Sequence, residues 1–311
     1  MKWIFVLTLG LSPLVSLSCD LCGCSANGNY LNVVPGGQKT YFGLGHYYRT
    51  FTSTHPVLFV GETPTSSSEV FRTTELFGRI QLHPKLQLFG FLPVHQNTIT
   101  EHDGSYTNSG IGDIRFSLVT PLIRSNWEET PEWRFLVLSG IGVKLPTGKF
   151  NFKPEDMELL LPNLQLGSGS WDGLVFMNFS ARKKQWITNL DASISYNGTN
   201  SNGYQFGTRT SSRIQSGFWL PSFKLKGAIV PQIGMQLDHA STDYNKTRPN
   251  TFSGGHQLYS FCSLQVYSGK WMLGARYFYA VDQDFAGGHV VNNFKGELSV
   301  TYFPSSNKKS N

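Results

Sequence analysis

The sequence predicts an all-β fold, a single antiparallel transmembrane β-barrel of about twelve strands, and three observations lead to this prediction. Long runs of residues alternate between apolar and polar side chains, as in strands whose successive side chains point to opposite faces. The connections between these runs alternate between long and short. The composition combines 15% charged residues with 14% aromatic residues and 32 glycines, whereas a soluble domain typically carries about 25% charged residues.

About twelve runs have the character of strands. They span approximately residues 39–52, 69–82, 86–97, 111–123, 133–146, 171–182, 186–197, 204–219, 224–239, 255–268, 270–282 and 291–303. Most are 11 to 16 residues long, which exceeds the usual globular strand of about 5–6 residues. A tilted strand needs roughly 9–11 residues to cross a bilayer, so these runs are long enough to span one.

Loop lengths give an independent test of this fold. The connections after odd-numbered runs are long, for example 53–68 and 147–170, and those after most even-numbered runs are short, for example 83–85. Outer-membrane barrels have short periplasmic turns and longer extracellular loops, so both termini are predicted to lie in the periplasm. Residues 124–132 form a longer connection than this rhythm expects. A soluble sandwich, the alternative for any single run, has no reason to show the rhythm.

The start of the chain predicts export to the bacterial outer membrane. Residues 1–18 combine Lys2, an apolar stretch and small residues before Cys19, which is typical of a signal peptide. A cysteine-containing segment at 19–38 is predicted to lie in the periplasm or inside the lumen as a plug. The barrel is predicted at 39–303 and a polar tail at 304–311. No later stretch reaches 18 apolar residues, so no transmembrane helix is predicted.

The segment after residue 18 contains the sharpest local motif, a Cys-x-x-Cys-x-Cys cluster of Cys19, Cys22 and Cys24. Thiolates bind Zn²⁺ and Cu(I), so these ions are the candidate cofactors. A disulfide in the oxidising envelope is an alternative, and cleavage before Cys19 would leave a cysteine for lipid attachment. A metal site of three thiols lacks a fourth ligand, which His46 or His55 could supply only if the segment folds back.

Charged residues on the polar faces are candidates for lining the lumen. They are Glu75, Arg79, Asp113, Arg115, Lys144, Arg209, Arg213, Arg276, Lys295 and Glu297, together with Arg134, Lys226, Asp191 and Asp238. Nine bases against five acids predict a polar lumen with a mild preference for anions, because lining charges select the solutes that enter. The alternative is a set of ion-pair ladders that plug a narrow barrel.

The last run shows how the two faces are assigned. Phe294, Leu298 and Tyr302 lie on its apolar face, and Lys295 and Glu297 lie on its polar face. A soluble sandwich could contain such a strand, but the loop rhythm upstream favours lipid for the first face and the lumen for the second. The single cysteine outside the N-terminal cluster, Cys262, lies on an apolar face and is predicted to be buried or lipid-facing.

The sequence argues against two other classes of function. A hydrolase needs a nucleophile, a base and an orienting group, and no G-x-S-x-G nucleophile motif occurs, so the chain is predicted not to be an enzyme. Its only short basic run, Arg182–Lys184, is too small to indicate a nucleic-acid partner. The expected partners are outer-membrane lipid, a small-molecule solute and the barrel assembly machinery.

Three segments carry a resemblance to a known family. They are the GxGD of Gly110–Ile114, the VKLPTG of Gly142–Gly148 and the LGxGSWD of Leu166–Asp172. In this order they resemble the outer-membrane transporter family named for the meta-pathway of phenol degradation, over roughly residues 40–303. The N-terminal Cys-Asp-x-Cys-Gly-Cys resembles the Bacteroidetes-type branch. The resemblance implies a transporter or porin-like role, and it leads us to expect that residues 146–148 shape the mouth where the fifth strand enters the long loop.

We therefore predict an outer-membrane transporter or porin-like channel for small hydrophobic or anionic solutes. The rival is an envelope metal-binding or thiol-redox protein, in which the Cys-x-x-Cys-x-Cys cluster is the functional site and the barrel is its anchor.

Overall fold

The chain forms a closed antiparallel barrel of twelve strands. The computed structural model describes residues 40–55, 65–102, 104–125, 132–153 and 162–304. The predicted fold class is therefore confirmed for the barrel. The predicted signal peptide, the cysteine segment and most of the polar tail lie outside the described residues.

The strands follow one another around the barrel in chain order. They are β1 Tyr41–His55, β2 Thr65–His83, β3 Leu86–Thr100, β4 in two segments Ser105–Ile111 and Arg115–Arg124, β5 Trp133–Lys144, β6 Asp172–Lys183, β7 Trp186–Tyr196, β8 Arg209–Phe218, β9 Gly227–Ala240, β10 Gly255–Ser268, β11 Trp271–Phe285 and β12 Val290–Tyr302. The ring closes where β1 pairs with β12, from Phe42 opposite Tyr302 to Ser53 opposite Val290.

Two predicted runs differ from the observed strands in their organisation, and the other ten agree with them to within four residues at each end. The fourth is broken at residues 112–114, where the backbone leaves the ladder between the two segments of β4. The eighth begins at Arg209 instead of residue 204, because Tyr204–Gln205 pairs outside the barrel. Its partner is Tyr244–Asn245, which also pairs with Arg248–Pro249 to complete a small three-stranded sheet.

The barrel has apolar residues on its outside and many polar ones inside, the reverse of a soluble protein. Ile141 and Leu298 point outward with 66% and 61% of their surface exposed, whereas the inward Glu75 and Asn178 are fully buried. Backbone groups are paired around the closed ring, which is what a strand needs in a medium without water. The exposed apolar surface therefore faces hydrocarbon.

The two ends of the barrel differ in their connections. Short turns such as 84–85, 184–185 and 269–270 lie at one end, named here the turn end, with the start of β1 and the end of β12. Long connections such as 145–171 and 241–254 lie at the opposite end, named here the loop end. The predicted alternation of long and short connections is thus present. No helix in the described parts of the chain is long and apolar enough to span a membrane.

An apolar layer fills the barrel toward the turn end, and we name it the septum. Its buried members come from ten of the strands and from the residue after β12: Tyr41, Phe77, Phe89, Val119, Leu136, Leu138, Phe176, Ile187, Ala228, Val230, Tyr267, Met272 and Phe303. The Phe77 ring lies directly over Gly43, where a Cβ would collide with it. Glycine at position 43 therefore lets the ring lie against the barrel wall.

Candidate functional site

The ten charged residues named first as lumen candidates lie inside the barrel. Above the septum they form a polar layer, named here the charged belt, while Arg79 reaches down to the septum aromatics Tyr41 and Phe89. Five of the ten are buried, among them Glu75 and Arg213 with no more than 4% of their surface exposed, and the other five are half-buried. Asp191 and Asp238 join the belt through ion pairs with Arg213 and Lys295.

Ion pairs cross the lumen between strands that are not neighbours. Lys295 on β12 lies 3.5 Å from Asp238 on β9, with β10 and β11 between them on the wall. Arg115 on β4 pairs with Glu75 on β2. Each pair bridges one or two intervening strands of the wall, so these side chains project into the lumen and fill part of it at this level.

Arg276 stands at the centre of the charged belt. Its Nη1 donates to Glu297 Oε2 at 2.8 Å, and its Nη2 donates to Gln215 Oε1 across the lumen at 3.4 Å. The guanidinium also lies 5.0 Å from the ring centre of Phe261. One inward base is therefore held by an acid, an amide and an aromatic face at once.

Cation–π contacts recur along the inner wall. Arg115 lies 5.0 Å from the centre of the Phe91 ring, and Lys295 Nζ lies 4.1 Å from that of Tyr259. Each such contact contributes about 0.5–2 kcal/mol, more when water is excluded. The lumen thus presents cations and aromatic faces side by side, a combination suited to solutes that carry a negative charge or an apolar body.

The three segments of the family resemblance converge on one cluster at the loop end, named here the loop anchor. Asp113 accepts backbone hydrogen bonds from Gly148 at 2.9 Å and from Ser168 at 2.8 Å. Lys144 pairs with Asp172 and lies 3.4 Å from Asp113. Segments far apart in the chain therefore meet where one half-buried lysine sits between two buried carboxylates.

The loop anchor extends to the neighbouring connection. Asp172 Oδ1 accepts hydrogen bonds from Ser170 Oγ at 2.8 Å and from the Gly198 amide at 2.9 Å. Asp172 thereby ties the end of the 145–171 loop to the residues that follow β7.

Thr147 spans the break in β4. Its hydroxyl donates to the Gly112 carbonyl at 2.8 Å and accepts from the Ile114 amide at 2.9 Å. The Leu145 amide donates to the Ile114 carbonyl at 2.8 Å. Residues 145–148 thus replace the lost ladder contacts of β4 and fix the start of the 145–171 connection against the break.

Sequence reasoning missed several inward charges and misplaced one. Arg49, Glu69 and Asp172 are buried on the inner face, and strict alternation from the neighbouring strand positions could have found the first two. Lys226, predicted to face the lumen, instead lies exposed in the turn before β9 with a positive φ of 47°. Apolar residues continue through this turn, so the periodicity of the sequence alone did not mark where β9 begins. With these changes the named inward residues are nine bases and seven acids, a smaller excess of bases than predicted.

The candidate metal ligands receive no structural description. Cys19, Cys22 and Cys24 lie outside the described residues, and within the described residues no group of three or more metal-ligating side chains occurs. His46 points outward from β1, where its Nδ1 lies 3.0 Å from Thr74 Oγ1. Cys262 is exposed on the outer face, which agrees with the lipid-facing alternative.

Comparison with solved structures places this architecture among known barrels. An outer membrane channel from Pseudomonas putida F1 is similar with a TM-score of 0.63 at 12% identity, over 85% of this chain and 95% of that one. The beta domain of the Bordetella autotransporter BrkA gives 0.49 at 10% identity, over 86% of this chain and 100% of that one. No protein-family model and no curated protein matches the sequence. The first similarity shows a shared fold, so this chain has the barrel fold of an outer membrane channel.

Proposed function

We propose that this chain is an outer-membrane channel that passes small hydrophobic or anionic solutes. The observation that carries the proposal is the inner wall, where half-buried bases such as Arg276 and Lys295 lie against aromatic rings within a closed, lipid-facing barrel. The fold supports it, because the similar structure from Pseudomonas putida F1 is an outer membrane channel. In this placement the turn end lies in the periplasm and the loop end faces outward.

An anion could enter such a lumen by taking the place of an acid that is paired with one of the inward bases. Arg115, Arg276 and Lys295 each already have an acid and an aromatic partner, so an entering carboxylate replaces one charge-assisted contact with another instead of being desolvated alone. An apolar body can lie on the same aromatic faces. The near balance of inward charge favours weak charge selectivity, milder than the sequence count of bases suggests.

The septum corresponds to a closed state of this channel. Its side chains contact one another across the barrel and are buried, so a solute passes only when some of them change rotamer. Constrictions of this kind exclude water and ions until they open. Phe77 and Phe89 lie on the adjacent strands β2 and β3. Rotamer changes of these two neighbouring rings are therefore the smallest movements that would widen the septum.

Planar-bilayer conductance of the purified protein tests the proposal. We expect small, discrete channel openings with weak selectivity between anions and cations. The same preparation must migrate as a folded, heat-modifiable barrel on a gel. Folded protein that gives no conductance, either as wild type or with the septum widened, would contradict a channel function.

The Cys-x-x-Cys-x-Cys motif supports a second candidate function in metal binding or thiol redox chemistry. Replacement of Cys22 and Cys24 by serine distinguishes the two candidates. Loss of Zn²⁺ or Cu(I) binding with unchanged solute permeation would favour the metal function. Unchanged metal content with altered permeation would favour a plug that serves the channel.

The finer family assignment belongs to the same proposal. The three motif segments meet in the loop anchor through Asp113, Lys144 and Asp172, which supports reading them as one functional signature of the transporter family named for the meta-pathway of phenol degradation. Assembly into the membrane by the barrel assembly machinery follows from the proposed location.

A further inference from the structure

The outer wall of the barrel carries a hollow, named here the lateral hollow. It spans β8 to β12 and β1 and has a volume of about 940 Å³, and an adjoining hollow of about 450 Å³ continues it. The two share His46, Leu264, Ala275 and Leu298. Ligand sites typically measure roughly 300–1,000 Å³, so the larger one has the size of a binding site.

Side-chain size explains the shape of the hollow. Its floor contains the small outward residues Ser216, Cys262, Ala275 and Gly296, and the exposed Ile233 on β9 stands between Ser216 and Cys262. Large side chains such as Phe218 and Tyr277 stand around this floor. Because these residues point away from the lumen, the hollow opens toward hydrocarbon.

At the turn end, the hollow reaches a level of the outer wall that carries pairs of aromatic side chains. Trp186 and Phe218 close its lower edge, with ring centres 4.9 Å apart. Trp271 and Tyr302 form a second aromatic pair below the adjoining hollow, with ring centres 4.8 Å apart. Tryptophan and tyrosine concentrate at the level of lipid headgroups, so the hollow runs from headgroup level into the membrane interior.

Bases stand immediately below these aromatic pairs. Lys184 lies two residues before Trp186, Lys224 and Lys226 lie in the turn that joins β8 to β9, and Lys270 precedes Trp271; all four are exposed. The described residues 184–185, 219–226 and 269–270 include no acid. Phe223, in the same turn as Lys224, is 99% exposed, as expected of a side chain that inserts into a membrane surface.

We infer that the lateral hollow binds one anionic phospholipid of the periplasmic leaflet. The acyl chains fill the hollow, and the phosphate lies near the lysines of the turns. This inference rests on the outer-membrane location in the proposed function, although it does not require conduction. Apolar burial alone cannot hold a lipid here, since surrounding lipid tails are equally apolar. The preference for this lipid comes from the shape of the hollow and from the attraction between the anionic headgroup and the lysines. This attraction contributes about 1 kcal/mol per base near a membrane surface.

A second copy of the chain is the main competing occupant. A two-fold interface places the same surface of both copies face to face. Two facing hollows would enclose a void instead of packing, so this geometry favours a lipid.

Native mass spectrometry of the whole protein, purified in a mild detergent and supplied with phosphatidylglycerol, tests the inference. We expect a one-to-one phospholipid adduct. Ala275→Trp fills the floor and should remove most of the adduct. The matched control is Ala192→Trp, which places the same side chain on the outward face of β7, away from the hollow.

The headgroup is tested separately with Lys184→Gln combined with Lys224→Gln and Lys226→Gln. We expect phosphatidylglycerol retention to fall about a hundredfold, since three bases at about 1 kcal/mol each are removed. Phosphatidylethanolamine retention should change little. The control Lys85→Gln lies in the turn between β2 and β3, far from the hollow.

Two results would overturn the inference. One is an adduct that survives Ala275→Trp in protein that still migrates as a folded barrel. The other is a dimer that Ala275→Trp disrupts. Conductance measured on the same samples tests the channel proposal separately from the lipid site. Ala275→Trp fills only the outward hollow, so it should leave conductance at the wild-type level.

Discussion

At the scale of single residues, a charged side chain on the inner wall can have several partners at once. Arg276 contacts Glu297, Gln215 and Phe261, so no single partner determines its position. Removing the acid from such a group leaves the charge of the base uncompensated, while the remaining partners still hold the base in place. The lumen charge can therefore be adjusted by substitution while the packing changes little.

Glu297→Gln tests this account of lumen charge. The substitution keeps the side-chain shape but leaves Arg276 without its acid partner, so the channel should become more selective for anions. An uncompensated charge about 4 Å from a passing ion in water contributes about 1 kcal/mol, which corresponds to a roughly fivefold change in relative anion permeability. The reversal potential in a salt gradient measures it.

Asp282→Asn provides the control for Glu297→Gln, because Asp282 is exposed near the loop end of β11 and pairs with His256 at 3.0 Å. An equal shift in reversal potential for both variants would contradict a local role of Glu297.

Asp172→Ala tests the loop anchor. The substitution removes the acceptor of the Gly198 and Ser170 hydrogen bonds and leaves Lys144 with Asp113 alone. Breaking a buried ion pair costs on the order of 3–5 kcal/mol. The 145–171 loop should therefore detach while the barrel remains, and trypsin added to intact cells should cleave it at Lys149 or Lys153.

The exposed Asp284 offers a matched control for the cleavage experiment, since Asp284→Ala changes a carboxylate at the same end of the barrel without touching the anchor. Resistance of the Asp172 variant to trypsin would show that other contacts hold the loop.

At the scale of elements, alternation identified the strands but could not reveal where a strand breaks. The Asp113–Leu118 segment alternates strictly, yet Asp113 lies in the break of β4 and binds the distant residues Gly148 and Ser168. Such contacts depend on tertiary structure and leave no local periodicity. For the same reason the run at 204–208 resembled a strand, although Tyr204–Gln205 pairs outside the barrel.

Adjacent strands β2 and β3 supply the prediction at this scale. Phe77→Ala with Phe89→Ala removes two rings from the septum, and conductance should rise several-fold because the constriction widens. The control is Leu76→Ala with Leu88→Ala, on the opposite, outward faces of the same strands. Equal conductance in the two double variants would exclude the septum as the barrier.

At the scale of the whole molecule, the loop rhythm carried the most information, because it reflects the two sides of a membrane and not any single strand. It predicted the barrel and its two ends correctly. The filled interior could not be predicted in this way. Alternation places Phe77 on the lumen face with Glu75 and Arg79, but only the closed ring shows that it joins Phe89 in one continuous apolar layer.

Closure itself is tested by Ser299→Pro. Ser299 lies inside β12, three residues before its end, opposite Gly45 on β1 and Gly274 on β11. Proline cannot donate to a strand ladder and is tolerated only at edges or bulges, and a closed barrel in lipid leaves no edge at which to place an unpaired group. The wild-type chain should fractionate with outer membranes and migrate faster on gels before heating than after. The proline variant should lose the fast-migrating form, whereas Ser299→Ala should keep it. Recovery of wild-type protein as a soluble monomer without detergent would contradict the membrane barrel.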